Sequence, residues 1–174
     1  MSDIIDIEIV VDTDNLMSAN PNASKDPNNP TAVGHNYAYM VAPNEYVKSG
    51  QASGDLSLSV DVGDTIRWRM TSQSGNTSYS ANLQNIARFA NDQITGTVTG
   101  ELLEPQSPVP GTTPGTIDLP PTYTTTSQYD FYLTADIVQA GTESYNVSFV
   151  VLQYHASQLQ ILGYFVWDPT LSAS

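Results

Sequence analysis

The chain contains no cysteine. Disulfides, thiol nucleophiles and thiolate metal ligands are therefore outside its chemistry. A blue-copper centre is excluded too, because it needs a Cys thiolate beside two His. Basic residues are nearly as scarce: Lys and Arg total 5 against 18 Asp and Glu, a net charge of −13. Nucleic acid and anionic membrane surfaces are poor partners for such a surface, which has no basic cluster to neutralise phosphates. Only 2 His are present, His35 and His155, far apart in sequence. There is no G-x-S-x-G elbow, phosphate loop, dinucleotide fingerprint or zinc-ligand spacing. No apolar run approaches the length of a membrane span. The opening "MSDIIDIEIVV" has acidic residues and no basic n-region, so the expected location is the cytoplasm.

What is present has a β profile. Hydrophobic residues make up 40%, with 10 Tyr and 11 each of Gly and Pro. Ile5, Ile7, Ile9 and Val11 alternate with polar positions. Leu56, Leu58, Val60 and Val62 do the same, and so do Ile66, Trp68 and Met70 beyond the Gly63-Asp64 turn. "HNYAYMV" (35–41) reads as a strand with His35, Tyr37, Tyr39 and Val41 on one face, and 93–100 as an edge strand. Leu83, Ile86, Ala87 and Ala90 have helical spacing, which predicts a short helix near Ala81 to Phe89. The last third holds three consecutive strands, 129–138, 144–154 and 159–169. The expected fold is an all-β, two-sheet β-sandwich with Greek-key-like spacing, resembling a cupredoxin or immunoglobulin sandwich without copper ligands. One domain should span 1–174, with long loops at 12–34 and 105–128, the latter proline-rich. Phe149 to Leu152 and Tyr164 to Trp167 are apolar on both strand faces, which predicts a homo-oligomer, most simply a dimer.

Two clusters are candidate sites. Asp12, Asp14, Asn15 and Asp26 offer the oxygen donors that calcium takes from loops, although the same residues serve Asx turns and caps. The EF-hand pattern fails, since Leu16 stands where its third ligand belongs. Trp167 and Asp168 could stack on and hydrogen-bond a carbohydrate, although a Trp ending a central strand also suits a core. His35 fits a packed or hydrogen-bonded role better than a catalytic one. No catalytic residues and no obligatory cofactor are expected.

The stretches "IIDIEIVVDTDNL" (4–16), "KDPNNPT" (25–31), "HNYAYMV" (35–41), "SGQASGDLSLSVDVGDTIRWR" (49–69), "GTESYNVSFVV" (141–151) and "LGYFVWDP" (162–169) together resemble the bacterial inclusion-body proteins of the PixA family and the related AidA proteins. The resemblance implies an abundant cytoplasmic protein, packed in inclusions in some members. It also implies quorum-sensing control in some, and a link to host colonisation. It brings no catalytic residues. Several members are methionine-rich; with 4 Met, this chain departs from that trait. The function expected is non-enzymatic accumulation and self-assembly, with a lectin-like carbohydrate-binding module, calcium-dependent or not, as the alternative.

Overall fold

The structure is a computed structural model that describes residues 2–111, 115, 117 and 119–173. Fourteen strands follow in chain order: β1 (Ile4–Val11), β2 (Thr31–Ala32), β3 (Ala38–Val41), β4 (Val47–Ser49), β5 (Ser57–Leu58), β6 (Thr65–Ser72), β7 (Ser80–Asn91), β8 (Thr99–Leu103), β9 (Gln106–Pro110), β10 (Tyr123–Ser127), β11 (Asp130–Asp136), β12 (Gly141–His155), β13 (Gln158–Trp167) and β14 (Thr170–Ala173). Among the described residues, one α-helix, α1 (Thr13–Ala19), follows β1, and a 3-10 turn spans Asn44–Tyr46. The fold is all-β, as the alternation predicts, and its two main sheets are mixed and open rather than closed into a barrel.

The first sheet runs β3-β1-β6-β11-β8. β1 pairs parallel with β6 and antiparallel with β3. In the second sheet β12 carries β7 along one edge and β13, then β14, along the other, and β2 closes the far side of β13 in parallel. The inward residues of the two sheets form the core: Ile5, Ile7, Ile9, Val11, Ile66 and Trp68 from one, and Leu83, Ile86, Val147, Phe149, Val151, Phe165 and Trp167 from the other. Phe149 stacks on Phe165 at 5.4 Å and meets Trp167 edge-on at 5.6 Å.

Five expectations are corrected. The stretch 80–91 is strand, not helix. Phe149 pairs with Leu83 while Ser148 pairs with Asn85, so Gln84 is an extra residue in a β-bulge. The bulge turns a period of two into a gap of three between inward Leu83 and Ile86, and that gap mimics a helical spacing. The connection 12–34 is not all loop, because Asp12 caps α1 and Leu16 buries its side chain in the core. The connection 105–128 contains the two-stranded ribbon β9–β10; residues 112–114, 116 and 118 lie outside the described residues. Its Pro108 and Pro110 sit on a strand with a single neighbour, where a missing N–H is tolerated. His35 lies in a turn before β3, whose core-facing residues are Ala38 and Met40. In 56–62 only Ser57–Leu58 is strand, and Val62 is exposed because the chain turns there. Asp64 holds that turn by accepting the Asp3 and Asp61 N–H groups at 2.9 and 2.8 Å.

The outward face of the first sheet is a charge ladder. Arg67 forms a two-pronged bond to Asp6 at 2.8 and 2.7 Å. Arg69 does the same with Asp130 at 2.7 and 2.8 Å, and also reaches Asp6. Both guanidinium groups lie over the Tyr132 ring. Burial pushes the Asp6 carboxyl up, but its bonds to Arg67 and Arg69 outweigh that and the net shift is down. Arg69 lowers Asp130 directly. The stabilisation from these two carboxylates should be complete above their unfolded value of 3.8 and lost as pH falls through their lower folded values. Glu8, raised by burial, works in the opposite sense: stability is lost as pH rises through its folded value. Urea titrations across the acid range should therefore give a steep loss in the wild type below pH 3.8 and a flatter one in Asp130→Asn.

A second polar anchor lies inside the molecule. Glu143 is buried, and its carboxylate accepts the Ile94 and Thr95 N–H groups at 2.8 and 2.9 Å and the Thr95 hydroxyl at 2.7 Å. It ties the segment after β7 to β12. Glu143→Ala orphans these donors in a dry site and should lower unfolding free energy by about 3 kcal/mol in urea denaturation.

Candidate functional site

The acidic cluster at the end of β1 is a capping device. Asp12 accepts the Asn15 N–H at 3.2 Å and the Asn15 side-chain amide at 2.6 Å, one at each carboxylate oxygen. Asp26 organises a separate Asx turn, accepting from the Asn28 N–H at 2.9 Å. Asp14 sits in the first turn of α1. Asp12 and Asn15 do line a cavity of about 400 Å³ with Asn36, Tyr37 and Tyr39, but Asp14 and Asp26 are not on its wall. Among the described residues, no three His, Asp or Glu side chains converge as metal ligands do. The four residues singled out for calcium fit a helix cap and a turn, and the structure does not bring them together as a coordination sphere.

The other cluster divides in two. Trp167 is only 2% exposed, with its ring in the core against Phe149. Strand alternation turns it inward, so it offers no face to a ligand, and the expectation of a stacking platform there is corrected. Asp168, one residue past the end of β13, lies outside the core and meets His35. His35 Nε2 is 3.1 Å from an Asp168 oxygen. On the other side of the ring, Nδ1 lies 2.5 Å from an Asp55 oxygen, within ion-pair range but without hydrogen-bond geometry. His35 thus bridges the loop before β5 to the end of β13. Gly54 permits the approach: a Cβ there would stand 2.3 Å from the His35 carbonyl oxygen. No sequence spacing signals this trio, since its members are 20 and 113 positions apart (55 − 35 and 168 − 55).

Beside Asp168 the outward face of the second sheet carries a shallow cleft of about 240 Å³, lined by Ala32, Val33, Phe89, Asn146, Val166, Trp167 and Asp168. It crosses four strands: β7, β12, β13 and the end of β2. Phe89 reaches it through a second bulge. Arg88 pairs with Tyr145 and Ala90 with Ser144, leaving Phe89 as the extra residue, 52% exposed. Most of the chain's cations are engaged elsewhere. Arg67 and Arg69 bind carboxylates, Arg88 donates to the Asn91 carbonyl, and Lys25 donates to the Ile161 and Leu162 carbonyls, which accounts for four of the 5 basic residues.

The Asp55–His35–Asp168 contacts are partly exposed, and exposed ion pairs contribute little to global stability. His35→Ala should shift the urea midpoint only slightly. It should, however, raise amide hydrogen exchange selectively at 53–55 and 166–168 if the ring is what holds these segments together.

Among the described residues, no helix is long and apolar enough to cross a membrane. None of the curated proteins matches the chain. Among solved structures, an inclusion body protein, PixA, from Burkholderia cenocepacia J2315 is similar, with a TM-score of 0.82 and 22% sequence identity. The match covers 99% of this chain and 96% of that one. That likeness establishes the fold. The family described as PixA, inclusion body protein, matches residues 3–173, nearly the whole length, and the chain belongs to that family.

Proposed function

We propose that the protein is a non-enzymatic inclusion-body component that accumulates and associates with copies of itself through the outward face of the β12–β13 hairpin. The observation that carries this reading is an apolar ladder on that face. Val150 pairs with Tyr164, Leu152 with Ile161, and Tyr154 with Leu159. Val150 is buried yet lies outside the main core cluster, as its place on the outer face requires. Toward the tip, Ile161, Leu159 and Tyr154 are 44%, 66% and 73% exposed. A continuous apolar strip of this kind on one sheet face is the mark of a contact surface rather than of scattered surface residues.

Apart from Lys25, which donates to the Ile161 and Leu162 carbonyls, the hairpin tip has little support from its own chain. β7 ends its pairing at Leu152, and β2 pairs only with Phe165 and Val166, so both edges of the tip lack strand neighbours. Its two-residue turn places Ala156 and Ser157 at φ 49° and 64°, a left-handed conformation that Asn or Gly would adopt with less strain. A lone two-stranded ribbon is marginal in water, and burial against a second copy would supply what it lacks. The family's inclusion-body character makes a second copy the natural occupant.

The obstacle to assembly is charge, −13 per chain. Salt shortens the reach of that repulsion, to roughly 8 Å at physiological ionic strength. Sedimentation of the purified chain should therefore show association that strengthens as salt rises from low values. Leu159→Lys and Ile161→Lys should each shift the population to monomer with the folded structure intact. A monomer at every concentration and salt level would overturn the reading.

A further inference from the structure

We propose that the cleft between Phe89, Asn146 and Asp168 binds a neutral polyhydroxylated ring, the chemistry of a hexose or 6-deoxyhexose unit. The proposal stands apart from self-association. It concerns the opposite end of the same sheet face, and it does not need a second copy.

The first argument is the floor. Phe89 is the unpaired residue of a β-bulge and turns an aromatic ring outward beside Val33 and Val166. Bulges recur where a sheet re-aims a side chain toward a site. An exposed aromatic face with aliphatic neighbours matches the C–H face of a pyranose ring, and stacking of that kind needs no charge.

The second argument is the pair of polar groups on the wall. Asp168 is an acceptor whose position is fixed from behind by His35 Nε2 at 3.1 Å. One ring nitrogen engages one carboxylate oxygen, and among the described residues no hydrogen bond within the protein occupies the other. Asn146 points outward by strand alternation, between inward Tyr145 and Val147. Among the described residues its side-chain amide makes no hydrogen bond within the protein. An amide that both donates and accepts, set with a carboxylate that accepts, is the combination that vicinal hydroxyls satisfy. In the larger cavity near α1, by contrast, Asp12 and Asn15 are bonded to each other.

The third argument is exclusion. Among the described residues, the only charged group on the cleft wall is Asp168, in a protein of net charge −13, so phosphate, sulfate and carboxylate ligands are repelled. A single aromatic ring is not the cage that quaternary ammonium groups require. At about 240 Å³ and open to solvent, the cleft is smaller than drug-sized pockets of roughly 300–1,000 Å³ and suits one ring of a larger glycan.

The test is an array of neutral glycans that display hexoses, 6-deoxyhexoses and N-acetylhexosamines, probed with the full chain. It is followed by calorimetric titration with the methyl glycoside of the strongest responder, and with choline as a cationic control. The expected result is binding to at least one neutral ring. Phe89→Ala and Asn146→Ala should each weaken it at least tenfold with the melting temperature unchanged, and Phe89→Tyr should retain it. Asp168→Asn should weaken it as well, and His35→Ala by a smaller factor, because that residue only positions Asp168. A blank array, binding that survives Phe89→Ala and Asn146→Ala, or a preference for choline would each overturn the proposal.

Discussion

The register between β12 and β13 is the constraint on which the rest depends. Phe149 sits opposite Phe165, and Val147 opposite Trp167. The stacking of the two Phe rings and the edge contact with Trp167 hold that register in the core. A one-residue slip of β13 against β12 would turn Phe165 and Trp167 to solvent and bring Tyr164 and Val166 inside. It would also move Asp168 away from His35. The inner aromatic seam, the outer apolar ladder and the polar cleft are therefore three consequences of one alignment.

Charge is distributed to suit that arrangement. The scarce arginines are concentrated on the outer face of the first sheet, where Asp6 and Asp130 hold Arg67 and Arg69 against Tyr132. That face is covered by its own side chains. The outer face of the second sheet buries Val150 but shows exposed apolar rungs toward the hairpin tip and a mixed aromatic and polar cleft at the other end. Glu143, buried with three hydrogen bonds, fixes the segment that joins β7 to the first sheet's edge without adding an exposed charge.

The bulges in β7 mark where pattern reading fails. Each adds one residue, and each changes what the strand presents. At Gln84 the result is a spacing that looks helical. At Phe89 the result is an aromatic ring directed outward near Asn146. Neither is visible in sequence, because a bulge is defined by what the partner strand does. The helix α1 was hidden for a different reason. It spans 7 residues, too short for an apolar stripe to repeat, and is held by the Asp12 cap and by Leu16 in the core. The run "DTDN" pointed to Asx chemistry but not to a helix, because Asx side chains serve turns, caps and metal sites alike.

The sequence by itself determined the all-β class, the inward faces of β1 and β6, and the exclusion of thiol and blue-copper chemistry. Alternation and composition are local properties, and a missing residue type needs no structure to be missing. It also carried the family, through six short stretches whose order along the chain is itself a signal. Only the tertiary structure decided that Trp167 belongs to the core while its neighbour Asp168 belongs to the surface, and that His35 stands between Asp55 and Asp168. Only it decided that the apolar residues of β12 and β13 fall into an inner seam and an outer ladder. These are facts about which residues from distant parts of the chain come within a few ångströms of one another. Contact of that kind is set by strand order, register and bulges acting together, and no single stretch of sequence contains it.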